Sequence, residues 1–430
     1  MLHDNLTVKN GVLHFAGVST VDMAKKHGTP LMLIDENGLR NRIREYKNSA
    51  KKYLTENSMP LYASKALCFT GVYKICQEEG IGIDTVSGGE IYTALNAGFD
   101  LSKAFFHGNA KTDADIEFAI DNGVGYFVTD NMEELEQISV IAGQKSVTQN
   151  LIIRLSPGID PHTHAKISTG KVDSKFGVAI ETGQAFEFVK RAILMPNVCV
   201  KGFHCHIGSQ IFESTPFIDA GVIMLNFIKK VQDELGFKTT ILSLGGGYGV
   251  RYIESDPVIN YSERICELGT ALKETCKKLD ITLPDIMLEP GRSLVADMGL
   301  TLYTVQSVKE ITGYKNYVAV NGGMTDNPRY TLYGSPYTVV TANKMDEPFD
   351  YPCTVAGRCC ESGDLLQENV LLAKPNRNDL IAVLVTGAYN YSMASNYNKV
   401  PRPKIVGIKN GEDFTFVRRE TYADLIKLDE

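Results

Sequence analysis

The sequence has no long apolar run, no CxxC pair and no excess of positive charge. No apolar stretch approaches the roughly 20 residues that a membrane-spanning helix needs. The formal net charge of −7 disfavours non-specific binding to nucleic acid or to an anionic membrane, so we expect neither partner. The nine cysteines are odd in number and irregularly spaced, which argues against a disulfide framework and a zinc site, and for reduced thiols.

The first residues, MLHDNLTVKNGVLHFAG, lack a basic segment followed by an apolar stretch. A secretory signal peptide has both, so we expect none here. Together with reduced cysteines, this predicts a cytoplasmic protein.

The sequence does contain a regular alternation of two patterns between residues 35 and 290. Short β-rich runs alternate with segments of helical period, and one helical segment separates each consecutive pair of runs. The eight runs are 61–65, 82–86, 104–108, 126–130, 151–156, 201–208, 241–247 and 285–291. Eight β/α units in about 250 residues predict a (β/α)8 TIM-type barrel, with a doubly wound open sheet as the structural alternative.

Beyond residue 291 the predicted strands follow one another without helices between them. The 430 residues are too many for one ordinary domain and enough for two. We therefore predict a barrel domain over 35–290 and a mostly β domain built from 1–34 and 291–430. The segment LTVKNGVLHFAG in the N-terminal part of that β domain is typical of a hairpin.

Polar residues follow most of the predicted barrel strands. Barrel enzymes place their active sites at the carboxyl ends of the strands, so these residues predict one convergent site. They are Lys65, Asp84, His107 with Asn109, Arg154, His206 with Ser209, Gly245 to Gly247, and Glu289 with Arg292.

Lys65 ends a short apolar strand. Most lysines are simply surface residues. A lysine desolvated at a barrel mouth can instead have a lowered pKa and form a Schiff base with an aldehyde.

The GGGYG stretch (245–249) also follows a strand. It could be a flexible turn, or a loop whose backbone N–H groups approach an anion closely. Ser209 could donate a further hydrogen bond to the same anion.

Glu289 and Arg292 lie in EPGR, after the eighth predicted strand. They could form a salt-bridged surface turn. Alternatively, the carboxylate could pair with a protonated ring nitrogen, and the guanidinium with a phosphate or carboxylate.

His204 and His206 are two residues apart, so both would face one side of a strand. Such a pair can bind a metal. A third and a fourth ligand are hard to assemble from the other histidines, so we expect no metal and prefer a histidine ring stacked on a flat cofactor.

Nine stretches in this order resemble the fold-type III pyridoxal 5′-phosphate (PLP) decarboxylases, whose barrel is similar to that of alanine racemase. They are YASKA (62–66), GIDTVSGGE (82–90), FHGN (106–109), SKFG (174–177), GFHCHIGSQ (202–210), GGGYG (245–249), EPGRSLVA (289–296), CESGD (360–364) and GAYNYSMASNYN (387–398). Within this group, three of the stretches resemble the branch that acts on diaminopimelate. They are GFHCHIGSQ, CESGD and GAYNYSMASNYN.

The resemblance implies a role for each site residue. Lys65 would carry PLP, Glu289 would keep its ring nitrogen protonated, and His206 would stack on its ring. The remaining cofactor contacts would come from Asp84, Ser209, Gly245, Gly246, Gly247, Gly291, Arg292 and Tyr389. The implied substrate contacts are Arg292, Arg329, Tyr333, Glu361 and Tyr389.

The implied reaction is decarboxylation of meso-diaminopimelate to L-lysine, with Cys360 as the group that protonates the α-carbon. A free thiol is largely protonated at neutral pH and can act as an acid. The resemblance also implies a homodimer in which Cys360 reaches the partner's site. Arg329 and Arg292 could bind the distal carboxylate of the substrate, and Glu361 its ammonium group.

The chain departs from the family pattern at Asn321, Pro328 and Asn390, which concerns substrate contacts rather than cofactor contacts. Alternatives therefore remain. The same chemistry could act on D-ornithine, D-lysine, L-ornithine or arginine. A racemase of similar fold and a regulatory homologue without PLP are further alternatives, which the CESGD turn and the retention of Lys65, Glu289 and Cys360 disfavour.

Overall fold

The computed structural model describes residues 2–159 and 175–430. Contacts group the chain into two compact units. One unit, the barrel unit, comprises residues 42–249 and 259–293, and the other, the β unit, comprises 1–41, 250–258 and 294–430. The short segment 250–258 in the β unit had no counterpart in the predicted division.

The barrel unit contains eight parallel strands that form a closed sheet. The eighth strand pairs with the first, and the fourth pairs with the fifth, so every strand has a neighbour on both sides. In chain order the strands are Met59–Ala63, Gly82–Thr85, Ala104–Phe106, Tyr126–Thr129, Gln149–Ser156, Val198–His204, Ile241–Ser243 and Asp285–Leu288. The predicted TIM-type barrel is thereby confirmed, and the open sheet is not what forms. A two-residue strand, Val178–Ala179, adds to the fifth strand.

Within residues 2–159 and 175–430, one α-helix lies between each pair of consecutive barrel strands, and a further helix, Glu36–Tyr53, precedes the first strand in the chain. The seven connecting helices are Thr70–Glu79, Gly88–Asn96, Asp113–Asp121, Met132–Gln144, Gln184–Ala192, Thr215–Leu235 and Tyr261–Leu279. Several begin at a side chain that accepts a backbone N–H, as Ser87, Asn131 and Asn260 do.

Apolar side chains from six strands meet in one buried cluster: Leu61, Phe105, Val128, Ile152, Ile241 and Met287. This packing fills the barrel with side chains, and polar groups can then occupy only its ends.

The β unit contains a three-stranded sheet of Leu6–Lys9, Val12–Phe15 and Val18–Ser19, which includes the hairpin expected near the N-terminus. Its larger sheet has nine strands. They are Leu31–Asp35, Gly299–Ile311, Lys315–Val320, Val339–Thr341, Tyr351–Ala356, Leu365–Leu372, Leu380–Val383, Lys404–Lys409 and Glu412–Val417. The α-helices Thr20–His27, Arg329–Tyr333 and Tyr422–Leu425 are short, so this unit is mostly β as predicted.

Among residues 2–159 and 175–430, none of the helices combines the length and the apolarity that crossing a membrane requires.

Candidate active site

Four buried polar side chains meet at the carboxyl ends of the barrel strands. They come from the second, third, sixth and eighth strands and are Asp84, His107, His204 and Glu289. Their relative exposures lie between 1% and 6%. Such burial of polar groups is costly unless they pair with one another or with a ligand.

Glu289 is the shared acceptor of this group. Its Oε1 accepts a hydrogen bond from the Ser243 hydroxyl at 2.6 Å, and its Oε2 lies 3.1 Å from His204 Nε2. His107 Nε2 is 3.4 Å from Oε1. Burial by itself would raise the pKa of Glu289, but interactions with His204 and His107, including hydrogen bonds that a neutral imidazole can donate, outweigh it and hold that pKa well below its usual range. Glu289 is therefore a buried carboxylate.

His204 is neutral at physiological pH. Burial lowers its pKa to about 4, against the opposing effect of Glu289. The neutral ring donates its Nε2–H to Glu289, which leaves Nδ1 as an acceptor, and that buried nitrogen has no hydrogen-bond partner within the described residues.

Asp84 is a second buried carboxyl group on the same side of the barrel. Burial raises its pKa, His107 opposes this effect, and Glu289 raises the pKa further. Its Oδ1 lies 3.8 Å from His107 Nε2 and has no hydrogen bond among the described residues. This buried oxygen can accept a hydrogen bond from a ligand.

A third candidate metal ligand, which the sequence did not predict, lies beside His204 and Glu289. His107, His204 and Glu289 offer ligand atoms that all lie within 4.8 Å of one another, so a third ligand is available after all. His206, the other half of the predicted pair, is not in this set, because the strand ends at His204. The hydrogen bonds of Glu289 to Ser243 and His204 account for the arrangement. That no metal binds there stays a prediction.

Lys65 lies in a 3-10 turn, Ser64–Ala66, directly after the first barrel strand. Its side chain is exposed. Its charge still acts on the site, because it lowers the pKa values of Asp84, Glu90 and His206. An exposed amine at the strand ends can reach a ligand that enters from solvent.

The loop of three glycines leaves no room for side chains. A Cβ on Gly245 would lie 2.8 Å from His206 Nδ1, and one on Gly246 would overlap the backbone oxygen of Glu289. Gly247 has φ of +132° and would place a Cβ 2.5 Å from the Gly208 oxygen. His206 itself is half-buried, and desolvation followed by the Lys65 charge holds its pKa well below the usual range. A neutral imidazole therefore borders the bare backbone of this loop.

Arg292 and Ser209 meet beside the eighth strand. The buried Arg292 donates from Nε to Ser209 Oγ at 3.2 Å. Gly291 lies close to the first strand, where an added Cβ would be 3.0 Å from Ala63 Cβ. A guanidinium, a hydroxyl and side-chain-free backbone suit a phosphate group. With the buried acceptors at Asp84 and Glu289, these residues fit a phosphorylated ring cofactor that carries a protonated nitrogen.

The predicted substrate residues of the β unit form their own group. The Arg329 guanidinium carbon lies 5.3 Å from the centre of the Tyr333 ring and 5.5 Å from that of Tyr389. Arg329 is buried, and its Nη2 donates to Ser335 Oγ at 3.2 Å. Tyr389 has φ of +59°, a left-handed backbone that a non-glycine residue adopts at some cost.

Cys360 and Glu361 are both exposed and lie in the turn that precedes strand Leu365–Leu372. The Cys360 backbone N–H donates to Asn398 Oδ1 at 2.8 Å. Thr331, in the helix that contains Arg329, donates its hydroxyl to the Gly363 oxygen at 2.8 Å. This turn is therefore joined to the segment that holds Arg329.

Two of the departures from the family pattern have local structural roles. Asn321 accepts the Thr304 N–H at 2.9 Å and donates to the Thr29 oxygen at 3.0 Å. Asn390 donates to the Tyr337 hydroxyl at 3.2 Å and to the Thr386 oxygen at 3.1 Å. Pro328 precedes the helix Arg329–Tyr333 as its N-cap.

Two site residues had no assigned role in the sequence. Ser243 hydrogen-bonds Glu289, and Glu90 has a pKa of about 7, because burial outweighs the hydrogen bond that it accepts from the Val86 N–H. Two features of the sequence could have pointed to them: Ser243 is a polar residue in an apolar strand, and Glu90 is the carboxylate of the GIDTVSGGE stretch. Ser174 of the SKFG stretch lies outside the described residues, whereas Phe176 packs 4.4 Å from the Arg154 guanidinium.

Comparisons with known proteins agree with this site. Residues 40–296 match the family model described as pyridoxal-dependent decarboxylase, pyridoxal binding domain. The fold and the site thus define a PLP-dependent decarboxylase, and PLP is its cofactor.

Similar proteins narrow the class. Diaminopimelate decarboxylase of Bacillus methanolicus is 43% identical over 96% of this chain and 95% of that protein, and that of Bacillus subtilis is 40% identical over 98% and 96%. A crystal structure of diaminopimelate decarboxylase from M. jannaschii in complex with L-lysine is 33% identical, with a TM-score of 0.91 over 100% of this chain and 98% of that chain. The chain belongs to the diaminopimelate decarboxylase family.

Proposed function

We propose that the protein removes one carboxyl group of meso-2,6-diaminopimelate as CO2 and so forms L-lysine, as the last step of lysine biosynthesis. The observation that carries this proposal is Glu289, a buried carboxylate held by Ser243, His204 and His107 at the strand ends. A fixed negative charge there can keep a pyridine nitrogen protonated, which PLP decarboxylation requires.

Residues of the barrel unit would hold the cofactor. PLP, when bound, supplies an electron sink for the pair that stays on the α-carbon when CO2 leaves. Lys65 offers the amine that binds its aldehyde, and His206 offers a neutral ring for stacking. The other proposed contacts are Asp84, Ser209, Gly245, Gly246, Gly247, Gly291, Arg292 and, from the β unit, Tyr389.

Residues of the β unit would donate the proton and bind the distal end of the substrate. The Cys360 thiol holds the proton that goes to the α-carbon. Arg329, with Arg292, binds the carboxylate at the distal end of the substrate, and Glu361 binds the distal ammonium. Tyr333 and Tyr389 line the space beside Arg329. Substrates without the distal carboxylate would leave the buried Arg329 guanidinium without a carboxylate to bind, which disfavours them.

We also propose a cytoplasmic homodimer in which Cys360 serves the active site of the partner subunit. Residues 35–290 would form the PLP-binding domain, and residues 1–34 and 291–430 the β domain. The nine free cysteines support a reducing location. The exposed position of Cys360 and Glu361 supports their access to a neighbouring subunit.

The test is a parallel assay of the purified protein with PLP. Meso-diaminopimelate, D-ornithine, D-lysine, L-ornithine and arginine are supplied separately, and CO2 and the amine products are quantified. We expect L-lysine from meso-diaminopimelate at a rate far above the others, and no turnover by Lys65→Ala. Faster release of CO2 from one of the other four substrates would reject diaminopimelate as the substrate.

A further inference from the structure

Asp364 is a buried carboxylate in the β unit that is not among the proposed cofactor or substrate contacts. Its relative exposure is 2%, so it cannot touch a substrate in solution. Its Oδ1 accepts the Met324 N–H at 2.6 Å, and its Oδ2 accepts the Cys359 N–H at 2.7 Å. One carboxylate therefore joins two separate backbone segments.

The space around this carboxylate is shaped by two glycines. A Cβ on Gly323 would lie 2.5 Å from Asp364 Oδ1, and one on Gly357 would overlap both carboxylate oxygens. The backbone of Asp364 closes the same turn, because its N–H donates to the Glu361 oxygen at 3.1 Å and its oxygen accepts the Gly357 N–H at 2.8 Å. The turn 357–364 is thus folded around Asp364.

The two segments that Asp364 joins carry the groups proposed to act on the substrate. The turn 357–364 contains Cys360 and Glu361, and the Met324 segment leads directly into the helix that begins at Arg329. A hydrogen bond to a carboxylate is stronger than one between neutral groups, so Asp364 is a strong link between the turn and the Met324 segment. The Asn398 bond to the Cys360 N–H is a second link on the exposed side.

We propose that Asp364 is a positioning residue, which sets the place of Cys360 and Glu361 relative to the segment of Arg329. This inference rests on the proposed function of those three residues. One buried side chain would then hold in place both the proton donor, Cys360, and the residue that binds the distal ammonium group of the substrate, Glu361. A displacement of about 1 Å at such groups can cost about 100-fold in rate.

Asp364→Asn tests the proposal. An amide has one oxygen, so its NH2 group would face either the Met324 N–H or the Cys359 N–H, donor against donor. The matched control is Asp379→Asn in the same unit, since Asp379 also closes a turn by accepting the Asn376 N–H at 2.6 Å but contacts none of the proposed site residues. Steady-state kinetics, bound PLP absorbance, Tm and the rate of Cys360 alkylation by iodoacetamide are measured for both variants.

For Asp364→Asn we expect kcat to fall about 100-fold, KM to rise, PLP absorbance to persist and Cys360 alkylation to change in rate. Asp379→Asn should keep kcat, KM and alkylation within about twofold of the unmodified protein at a comparable Tm. Unchanged kinetics and alkylation in Asp364→Asn, or equal losses in both variants, would overturn the proposal. Because alkylation needs no substrate, a wrong substrate assignment would not imitate either result.

Asn398→Gly keeps the test decisive if Asp364→Asn does not fold. Asn398 is exposed with φ of +51°, so glycine removes its bond to Cys360 without backbone strain. We expect a fall in kcat of about tenfold with unchanged Tm, as for the loss of one hydrogen bond. A kcat equal to that of the unmodified protein would count against the positioning of Cys360 by this turn.

Discussion

Glu289 shows how single side chains set the charge of the site. Its neighbours are a hydroxyl, a neutral imidazole and a second imidazole, all closer than 3.5 Å, and together they stabilise a carboxylate that burial would otherwise neutralise. The charge of Glu289 is therefore built into the barrel before any ligand binds.

Glu289→Gln should lower kcat about 100-fold at saturating PLP, because a neutral amide cannot stabilise a protonated ring nitrogen. Ser243→Ala is the matched control. It removes one hydrogen bond but keeps the carboxylate, so its loss should not exceed about tenfold. A Glu289→Gln variant with kcat within threefold of the unmodified protein would refute the electrostatic role.

His204 predicts how stability depends on pH. Its pKa is about 4 in the folded protein and about 6.5 in the unfolded protein, so the unfolded protein binds this proton first as the pH falls. The contribution of the neutral His204 ring to the free energy of unfolding is therefore complete above pH 6.5 and is lost as the pH falls towards 4. The slope of the free energy of unfolding is about 1.4 kcal/mol per pH unit for one proton. The His204→Gln variant keeps an N–H donor but has no group that takes up a proton in this pH range. Urea titrations at pH 4.5, 5.5 and 6.5 should therefore show a free energy of unfolding that depends less steeply on pH in the variant. A slope identical to that of the unmodified protein would contradict this reading.

At the scale of elements, the barrel strands were predictable from the sequence, but the local structure at their carboxyl ends was not. Each of the eight predicted runs overlaps a barrel strand, because the alternation of β and helical periods can be recognised in a single sequence. The 3-10 turn that exposes Lys65 and the strand end at His204 depend on tertiary contacts. For the same reason, Ser243 and Glu90 had no assigned role, and nothing in the local pattern places segment 250–258 in the β unit.

The glycine loop supplies the element-scale prediction. Gly246→Ala would place a methyl group on the Glu289 backbone oxygen, and overpacking of this kind costs about 1–3 kcal/mol. We expect a lower Tm and weaker PLP binding in an absorbance titration. Gly89→Ala is the control, since its Cβ would meet only the Ser87 hydroxyl at 3.7 Å. Equal PLP affinity of the two variants would show that the loop does not contact the cofactor.

At the scale of the whole molecule, the shared active site of the proposed dimer is directly testable. Lys65→Ala and Cys360→Ala should each be inactive, because each lacks one part of every site. After unfolding and refolding of an equal mixture, half of the dimers are mixed and each has one intact site, so about 25% of the activity should return. No recovery, with dimers shown by sedimentation, would mean that Cys360 serves the site of its own subunit.

The loop Gly245–Gly247 has a consequence for genetics. Every other amino acid carries a Cβ, and at all three positions that atom would lie less than 3 Å from other atoms of the barrel unit. Missense changes in these three codons therefore share one physical outcome, whatever residue they encode. In a strain that depends on this gene for lysine, a library randomised at the three codons should be strongly enriched in glycine at all three positions after selection.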